Sequence, residues 1–241
     1  MEPSNGRRFL AAFNEIEDFF RSRLDADKHV DFGQLERAYE ARYGLPGQYR
    51  AALRAFRILR NAIVHARYFG GEPIAEPAPG VVEQIEHLLE LLRSPRSALQ
   101  VLGPRDVCVA LCDEPVRTVL EHVSRHDYSQ LPAYDGSQYA GILTTNTIAR
   151  WLGDQLTRNE GFAEEEPVRT ILKFAERHEE GLLVRRTITV PDAIDKLLHG
   201  GPGGTPVTAL IVTSGGRIND TPVRVIAAFD LPELTASLSL T

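Results

Sequence analysis

The chain has few cysteines and no long apolar segment. Cys108 and Cys112 are its only two cysteines, which is too few for a disulfide framework, and they lack the further His or Cys residues of a zinc site. No apolar run reaches the length of about 18 residues expected of a membrane span, and residues 1–4 do not begin a basic and then apolar leader. The sequence therefore predicts neither a membrane span nor secretion. We expect a cytoplasmic protein without a bound metal.

An excess of positive charge is also missing. The formal net charge is −6; residues 1–98 carry 14 basic and 14 acidic side chains, whereas residues 99–241 carry 13 and 19. Because a general nucleic-acid binder is basic, any RNA must bind locally. The candidate surface is a stripe of Arg50, Arg54 and Arg57 at helical spacing, continued by Arg60. The same spacing also fits an ordinary solvated helix face.

Apolar residues in the first 95 positions recur with the period of a helix. This spacing predicts helices over residues 7–24, 32–43, 48–67 and 81–93. Asp31 is the predicted N-cap of the second helix, and Gly44 and Pro46 end it. Four helices with short connections form a bundle, so we predict a helical domain over residues 1–95.

The end of the third predicted helix brings a cation, an amide and an imidazole close together as Arg60, Asn61 and His65. Asn61 and His65 are four residues apart, so on a helix they share a face and can hydrogen-bond. Arg60 and His65 are about 140° apart around a straight helix, so a single chain aims them poorly at a common atom. Two copies crossing at a two-fold axis would bring both sets into one cleft, which predicts a homodimer.

The run Arg60-Asn61-x-x-x-His65 resembles the R-x4–6-H motif of HEPN domains (higher eukaryotes and prokaryotes nucleotide-binding), all-helical dimers that include many metal-independent ribonucleases. The resemblance implies RNA as the substrate, cleaved by attack of a 2′-hydroxyl on the neighbouring phosphate. His65 would act as general acid or base, and Arg60 would neutralise the charge of the phosphorane. Asn61 would position His65 or the phosphate. Alternatively, Asn61 and His65 only brace the helix end at a dimer interface.

Beyond residue 99 the apolar period changes from 3.6 to 2. A strand at 107–111, a helix at 116–124, a hairpin that turns at Asp135-Gly136 and a closing helix at 147–152 form a β-α-β-β-α pattern. A second copy of this pattern runs from residue 181 to about residue 235. The sequence therefore predicts an α+β protein, in which a helical bundle precedes two modules over residues 99–155 and 166–235.

Residues 131–148 resemble the strand-turn-strand and G-h-h-[ST]-x-x-D-h motif of CBS (cystathionine β-synthase) domains, and the two copies resemble their tandem arrangement, the Bateman module. The resemblance implies an adenine nucleotide as regulatory ligand, with the motif hydroxyl and Asp on its phosphate and ribose. Thr144 keeps the hydroxyl but Thr147 stands at the Asp position, whereas the second copy keeps Asp230 and loses the hydroxyl. Each site is therefore half-equipped, which means that it keeps only one of the two ligand-binding residues of the motif. The predicted nucleotide-binding residues are Leu131, Pro132, Thr144, Thr147, Ile211 and Asp230.

Together, the two resemblances imply a nucleotide-sensing regulatory protein whose helical domain is a metal-independent endoribonuclease controlled by the ligand. The alternative is a protein without enzymatic activity that senses a nucleotide, binds another protein and dimerises through its helical domain.

Overall fold

The computed structural model describes residues 3–65, 75–126, 128–158 and 163–240, with only the backbone of His65. The chain divides into two compact units. The helical unit comprises Met1–Arg96 and Leu238–Thr241, and the repeat unit comprises Ser97–Ser237. No described helix is both long and apolar enough to cross a membrane.

Four helices build the helical unit: α1 (Asn5–Leu24), α2 (Phe32–Tyr43), α3 (Gly47–His65) and α4 (Pro79–Arg93). Asp31 caps α2 as predicted, since its Oδ1 accepts hydrogen bonds from the backbone N–H groups of Gly33 at 2.8 Å and Gln34 at 3.2 Å. The last two residues predicted for the third helix, 66 and 67, lie outside the described residues. All four predicted helices are present.

Aromatic side chains occupy the centre of the helical unit. The rings of Phe13 and Phe32 lie 4.5 Å apart, and those of Phe20 and Tyr39 lie 4.4 Å apart. This packing joins the apolar faces of α1 and α2, because large rings bury more apolar area than other side chains. Phe13, Phe20 and Phe32 are buried, so these rings form the core between α1 and α2.

Two β-α-β-β-α units follow in the repeat unit, which confirms the predicted α+β fold. Each has a three-stranded sheet in which the first strand is parallel to the second and the second is antiparallel to the third. The elements of the first copy are α5 (Ala98–Leu102), β1 (Ala110–Leu111), α6 (Val116–His126), β2 (Gln130–Asp135), β3 (Gln138–Thr144) and α7 (Thr145–Arg158). Those of the second are α8 (Val168–Ile171), β4 (Gly181–Arg185), α9 (Val190–His199), β5 (Ala209–Thr213), β6 (Pro222–Ala227) and α10 (Leu231–Ala236).

Strand β1 is shorter than the sequence predicts. It pairs with β2 only at Ala110 and Leu111, whereas β4 pairs with β5 along all five of its residues. The next residue of β2 that would pair with β1 is Pro132, which has no N–H group to donate to a neighbouring strand. The equivalent residue of β5 is Ile211, which has an N–H group and pairs with β4. The prediction of a strand over residues 107–111 is therefore wrong for residues 107–109.

Candidate functional site

The repeat unit contains a cleft of about 540 Å³. It is lined by residues 105–108 from the segment before β1, by residues 128–131 at the start of β2, and by Arg224, Phe229 and Asp230 around the end of β6. Segments from both copies therefore meet at this cleft. It includes Leu131 and Asp230, two of the predicted nucleotide-binding residues.

Asp230 is held in place by two groups of the second copy. Its Oδ1 accepts a hydrogen bond from Nη2 of Arg224 at 2.9 Å, and its Oδ2 accepts one from the backbone N–H of Ala227 at 2.9 Å. Nη1 of Arg224 donates to the carbonyl oxygens of Leu102 and Gly103 at 3.0 and 3.2 Å. The carboxylate is therefore fixed, yet each of its oxygens keeps a lone pair for a further donor.

Cationic and aromatic side chains accompany Asp230 in the cleft. Arg105 is exposed, and the buried Nε of Arg224 has no hydrogen-bond partner among the described residues. Phe229, next to Asp230, is 95% exposed, and Tyr128 is half-buried. Guanidinium groups bind phosphate and aromatic rings stack on bases. The cleft can therefore hold a ligand that combines an anionic group, hydroxyls and a flat ring.

Thr144 and Thr147 bind a carboxylate of the chain itself. Glu179, whose side chain is only 4% exposed, accepts hydrogen bonds from Oγ1 of Thr144 at 2.5 Å and from Oγ1 of Thr147 at 3.0 Å. The backbone N–H of Glu176 donates to it at 2.9 Å, and the guanidinium of Arg150 forms an ion pair with it. Burial raises the pKa of Glu179, but the hydrogen bonds and Arg150 together outweigh burial and hold the pKa below its ordinary value.

The remaining predicted nucleotide-binding residues, Pro132 and Ile211, are buried at equivalent positions of β2 and β5. Ile211 packs in a small core with Ile142 and Ala209, so it supports the sheet. Neither residue is among those that line the cleft around Asp230.

Sequence reasoning missed Arg105, Arg224, Phe229 and Glu179. Arg224 could have been found, because it stands at the Gly position of the motif in the second copy. The other three carry no local signal, since their importance depends on which segments the fold brings together.

Replacing Glu179 by glutamine is expected to lower the free energy of unfolding by about 1–3 kcal/mol near pH 7, because buried donors lose an ionised acceptor. The folded-state pKa lies below the ordinary value of 4.5, so this stabilisation is complete above that value and is lost as the pH falls through the folded pKa. The difference between the wild type and the variant in urea unfolding should therefore be largest near pH 7 and smaller at an acidic pH below 4.5. The neighbouring exposed Glu180→Gln is the control, and an equal difference at both pH values would contradict the prediction.

In the helical unit, Arg60 and Asn61 are in contact. Nη1 of Arg60 donates to Oδ1 of Asn61 at 3.3 Å, and both residues line a cleft of about 520 Å³ together with Arg57 and Glu17. The predicted hydrogen bond between Asn61 and His65 involves a side chain outside the described residues. Two of the three predicted catalytic residues, which are adjacent in the chain, are therefore hydrogen-bonded to each other.

The predicted stripe of Arg50, Arg54 and Arg57 lines a second cleft, of about 430 Å³, in which α2 contributes Arg37 and Glu36. Arg50 forms an ion pair of 2.5 Å with Glu40. Burial raises the pKa of Glu36, although the nearby Arg57 opposes this. The cleft therefore combines four cationic side chains with one poorly solvated carboxyl group.

No protein-family model matches the sequence, and a search of curated proteins finds no significant match. The HEPN resemblance of the helical unit therefore stays a prediction.

Several solved structures of CBS domains are similar to part of the chain. A signal-transduction protein with CBS domains from Burkholderia ambifaria MC40-6 is 18% identical over 60% of this chain and 98% of its own, with a TM-score of 0.42. CBSX2 in complex with AMP is 14% identical over 59% and 98%, with a TM-score of 0.43. The CBS domain of a bacterial CNNM/CorC family Mg²⁺ transporter in complex with ATP is 18% identical over 64% and 95%, with a TM-score of 0.43. The part of this chain that these structures match is its C-terminal portion.

Proposed function

We propose that the protein is a nucleotide-sensing regulatory protein and that the cleft around Asp230 binds an adenine nucleotide. The observation that carries this proposal is the set of groups in one cleft: the fixed carboxylate of Asp230, the guanidinium groups of Arg105 and Arg224, and the exposed ring of Phe229. The resemblance of residues 224–231 to the second half of a CBS pair supports the same assignment.

Each part of a nucleotide has a chemical counterpart in the cleft. The free lone pairs of Asp230 accept the ribose hydroxyls, and Arg105 binds the phosphate. Phe229 and Tyr128 offer ring faces to the base. Because residues 99–241 carry six more acidic than basic side chains, a mono- or diphosphate should bind more tightly than a triphosphate.

Asp230→Ala is expected to weaken nucleotide binding about 10- to 100-fold, because hydrogen bonds to a charged group contribute about 1.5–3 kcal/mol. Calorimetry of the full chain with AMP, ADP, ATP and c-di-AMP measures this effect; AMP, ATP and c-di-AMP are ligands named for similar structures. Asp230→Asn keeps the size of the side chain and should weaken binding less than alanine does.

The matched control for this experiment is Glu233→Ala, which removes an exposed carboxylate from α10, three residues beyond Asp230. It should bind nucleotide as the wild type does. Unchanged affinity in Asp230→Ala would mean that this cleft does not hold the ribose, and absence of binding by the wild type would exclude adenine nucleotides as ligands.

As a second candidate function, we propose metal-independent endoribonuclease activity of the helical unit, regulated by the nucleotide. The contact between Arg60 and Asn61, next to the cleft that contains Arg37, Arg54 and Arg57, supports it. In this reaction the 2′-oxygen bonds to phosphorus while the bond to the 5′-oxygen breaks. One basic group takes the proton of the 2′-hydroxyl and one acidic group protonates the 5′-oxygen, roles that suit an imidazole such as that of His65.

Two copies of the chain would supply the two imidazoles that this reaction uses, so we propose a homodimer formed through the helical unit. Arg60 would stabilise the charge of the phosphorane, and Arg50, Arg54 and Arg57 would bind the flanking phosphates. The alternative remains a helical unit that dimerises and binds another protein without cleaving RNA.

A further inference from the structure

The two copies of the repeat can be compared position by position through their strand pairing. Ala110 pairs with Ala133 in the first sheet as Val184 pairs with Val212 in the second. Counting back five residues from Ala110 and from Val184 gives Arg105 and Glu179. These two residues therefore hold equivalent positions, in the segments that lead into β1 and β4.

The partners of these two residues are equivalent as well. Gln130 pairs with Thr144 as Ala209 pairs with Ala227, so Thr144 corresponds to Ala227 and, three residues further on, Thr147 corresponds to Asp230. One place in the repeat unit thus combines a leading arginine with Asp230. Its counterpart combines a leading glutamate with two threonines, so the leading position changes from cationic to anionic and the position of Asp230 becomes neutral.

The groups around Glu179 are those that bind a phosphate. Two hydroxyls, one backbone N–H and one guanidinium converge on its carboxylate. Oxyanions of a phosphate monoester accept charge-assisted hydrogen bonds from the same donors. The carboxylate of Glu179 therefore stands where an anionic ligand group would bind in a site equivalent to the cleft around Asp230.

The segment that carries Glu179 is fixed on both sides. The hydroxyl of Tyr139 donates to the carbonyl of Gly181 at 3.2 Å, and the backbone N–H of Thr208 donates to the carbonyl of Glu180 at 2.9 Å. Arg150, besides its ion pair with Glu179, donates from Nε to the carbonyl of Phe174 at 2.8 Å. Hydrogen bonds therefore hold both the backbone next to Glu179 and its partner Arg150, so the position of Glu179 is fixed by the fold.

We propose that Glu179 is a tethered carboxylate that closes the second of two repeat-related anion sites. The repeat unit then binds one nucleotide per chain, at the cleft around Asp230, a stoichiometry that rests on the proposed function. Removal of the carboxylate turns Thr144, Thr147 and Arg150 into a site for a phosphate monoester. Thr147→Asp alone does not open this site, because it places a second carboxylate against Glu179.

Calorimetry of the full-length Glu179→Ala variant tests this proposal with two probes, AMP and inorganic phosphate. The number of AMP molecules bound per chain should rise from one to two. Phosphate should bind at least about tenfold more tightly than to the wild type, since each charge-assisted hydrogen bond to it is strong. Glu180→Ala, one residue away and exposed, should leave both quantities unchanged. The double variant Glu179→Ala/Asp230→Ala should keep the new site and lose the original one.

The possible outcomes separate this proposal from the proposed function. One AMP per chain and unchanged phosphate affinity in Glu179→Ala would overturn the tethered carboxylate and leave the cleft around Asp230 intact. Tighter phosphate binding by Glu179→Ala, in a protein whose wild type binds no nucleotide, would support the closed site and overturn the proposed function. If circular dichroism shows that the alanine variant is unfolded, Glu179→Gln takes its place. Its neutral amide competes less well for Arg150, so phosphate affinity equal to that of the wild type would overturn the proposal.

Discussion

Trp151→Ala is expected to lower the free energy of unfolding of the repeat unit by about 3–5 kcal/mol, because the cavity left by a large aromatic side chain is only partly refilled. Trp151 is 0% exposed and packs in a buried core with Val119 and Leu131 of the first copy and Ile171 of α8. This loss is a large fraction of the free energy of unfolding of a typical domain. Urea unfolding, followed by circular dichroism, measures the change.

The same helix offers a matched control for this substitution. Leu156 also lies on α7, five residues further on, but it is 76% exposed, so Leu156→Ala should change the free energy of unfolding by no more than about 0.5 kcal/mol. Since Thr147 lies on the first turns of α7, Trp151→Ala should also loosen the hydrogen bonds to Glu179. A cost for Trp151→Ala as small as that of the control would show that α7 does not pack against the sheet as described.

Arg60→Ala is expected to reduce RNA cleavage in the presence of EDTA about 100- to 1,000-fold, if the helical unit is a ribonuclease. The reason is that loss of one preorganised donor to a developing oxyanion typically costs this factor. His65→Ala should reduce cleavage about 100- to 10,000-fold, the usual contribution of general acid–base catalysis. Cleavage of a labelled RNA by the full chain, with products analysed for a 2′,3′-cyclic phosphate, provides the measurement.

Arg42→Ala removes an exposed arginine from the last turn of α2 and serves as the control for these variants. Light scattering should give the mass of a dimer for the wild type and for each variant. This result would show that a variant loses cleavage although it still forms the dimer. Full activity in Arg60→Ala would exclude it from catalysis. No cleavage of any RNA by a dimeric wild type would favour the alternative, a helical unit that only dimerises and binds a partner.

Much of the fold could be predicted because it depends on local patterns. The helix over residues 32–43 follows from an apolar stripe and from Asp31, whose carboxylate satisfies N–H groups only two and three residues away. The hairpin between β2 and β3 follows from Asp135-Gly136, since Gly136 adopts a positive φ of 58° that glycine tolerates best. Such features need no knowledge of distant segments.

The site could be predicted only in part. Asp230 was identified from its motif, and the structure places it in the cleft with Leu131. Thr144 and Thr147 were identified by the same reasoning, but their hydroxyls point at Glu179, which lies more than 30 residues further along the chain. Spacing in the sequence shows that a hydroxyl is available; it does not show which donor or acceptor reaches it.

The sequence by itself therefore determined the four long helices of the helical unit, the β-α-β-β-α repeat in the C-terminal part without the short helices α5 and α8, and the half-equipped character of each predicted nucleotide site. These follow from periodicity and from residue types at fixed offsets. Only the tertiary structure decided that Arg105 lines the same cleft as Asp230, whereas Glu179 accepts a hydrogen bond from Thr144. In each case the fold brings the segment before the first strand of one copy to the end of the last strand of the other copy. The side chain of Glu179 is only 4% exposed, so its carboxylate must accept hydrogen bonds from protein donors. It therefore occupies the donors that a ligand would otherwise bind.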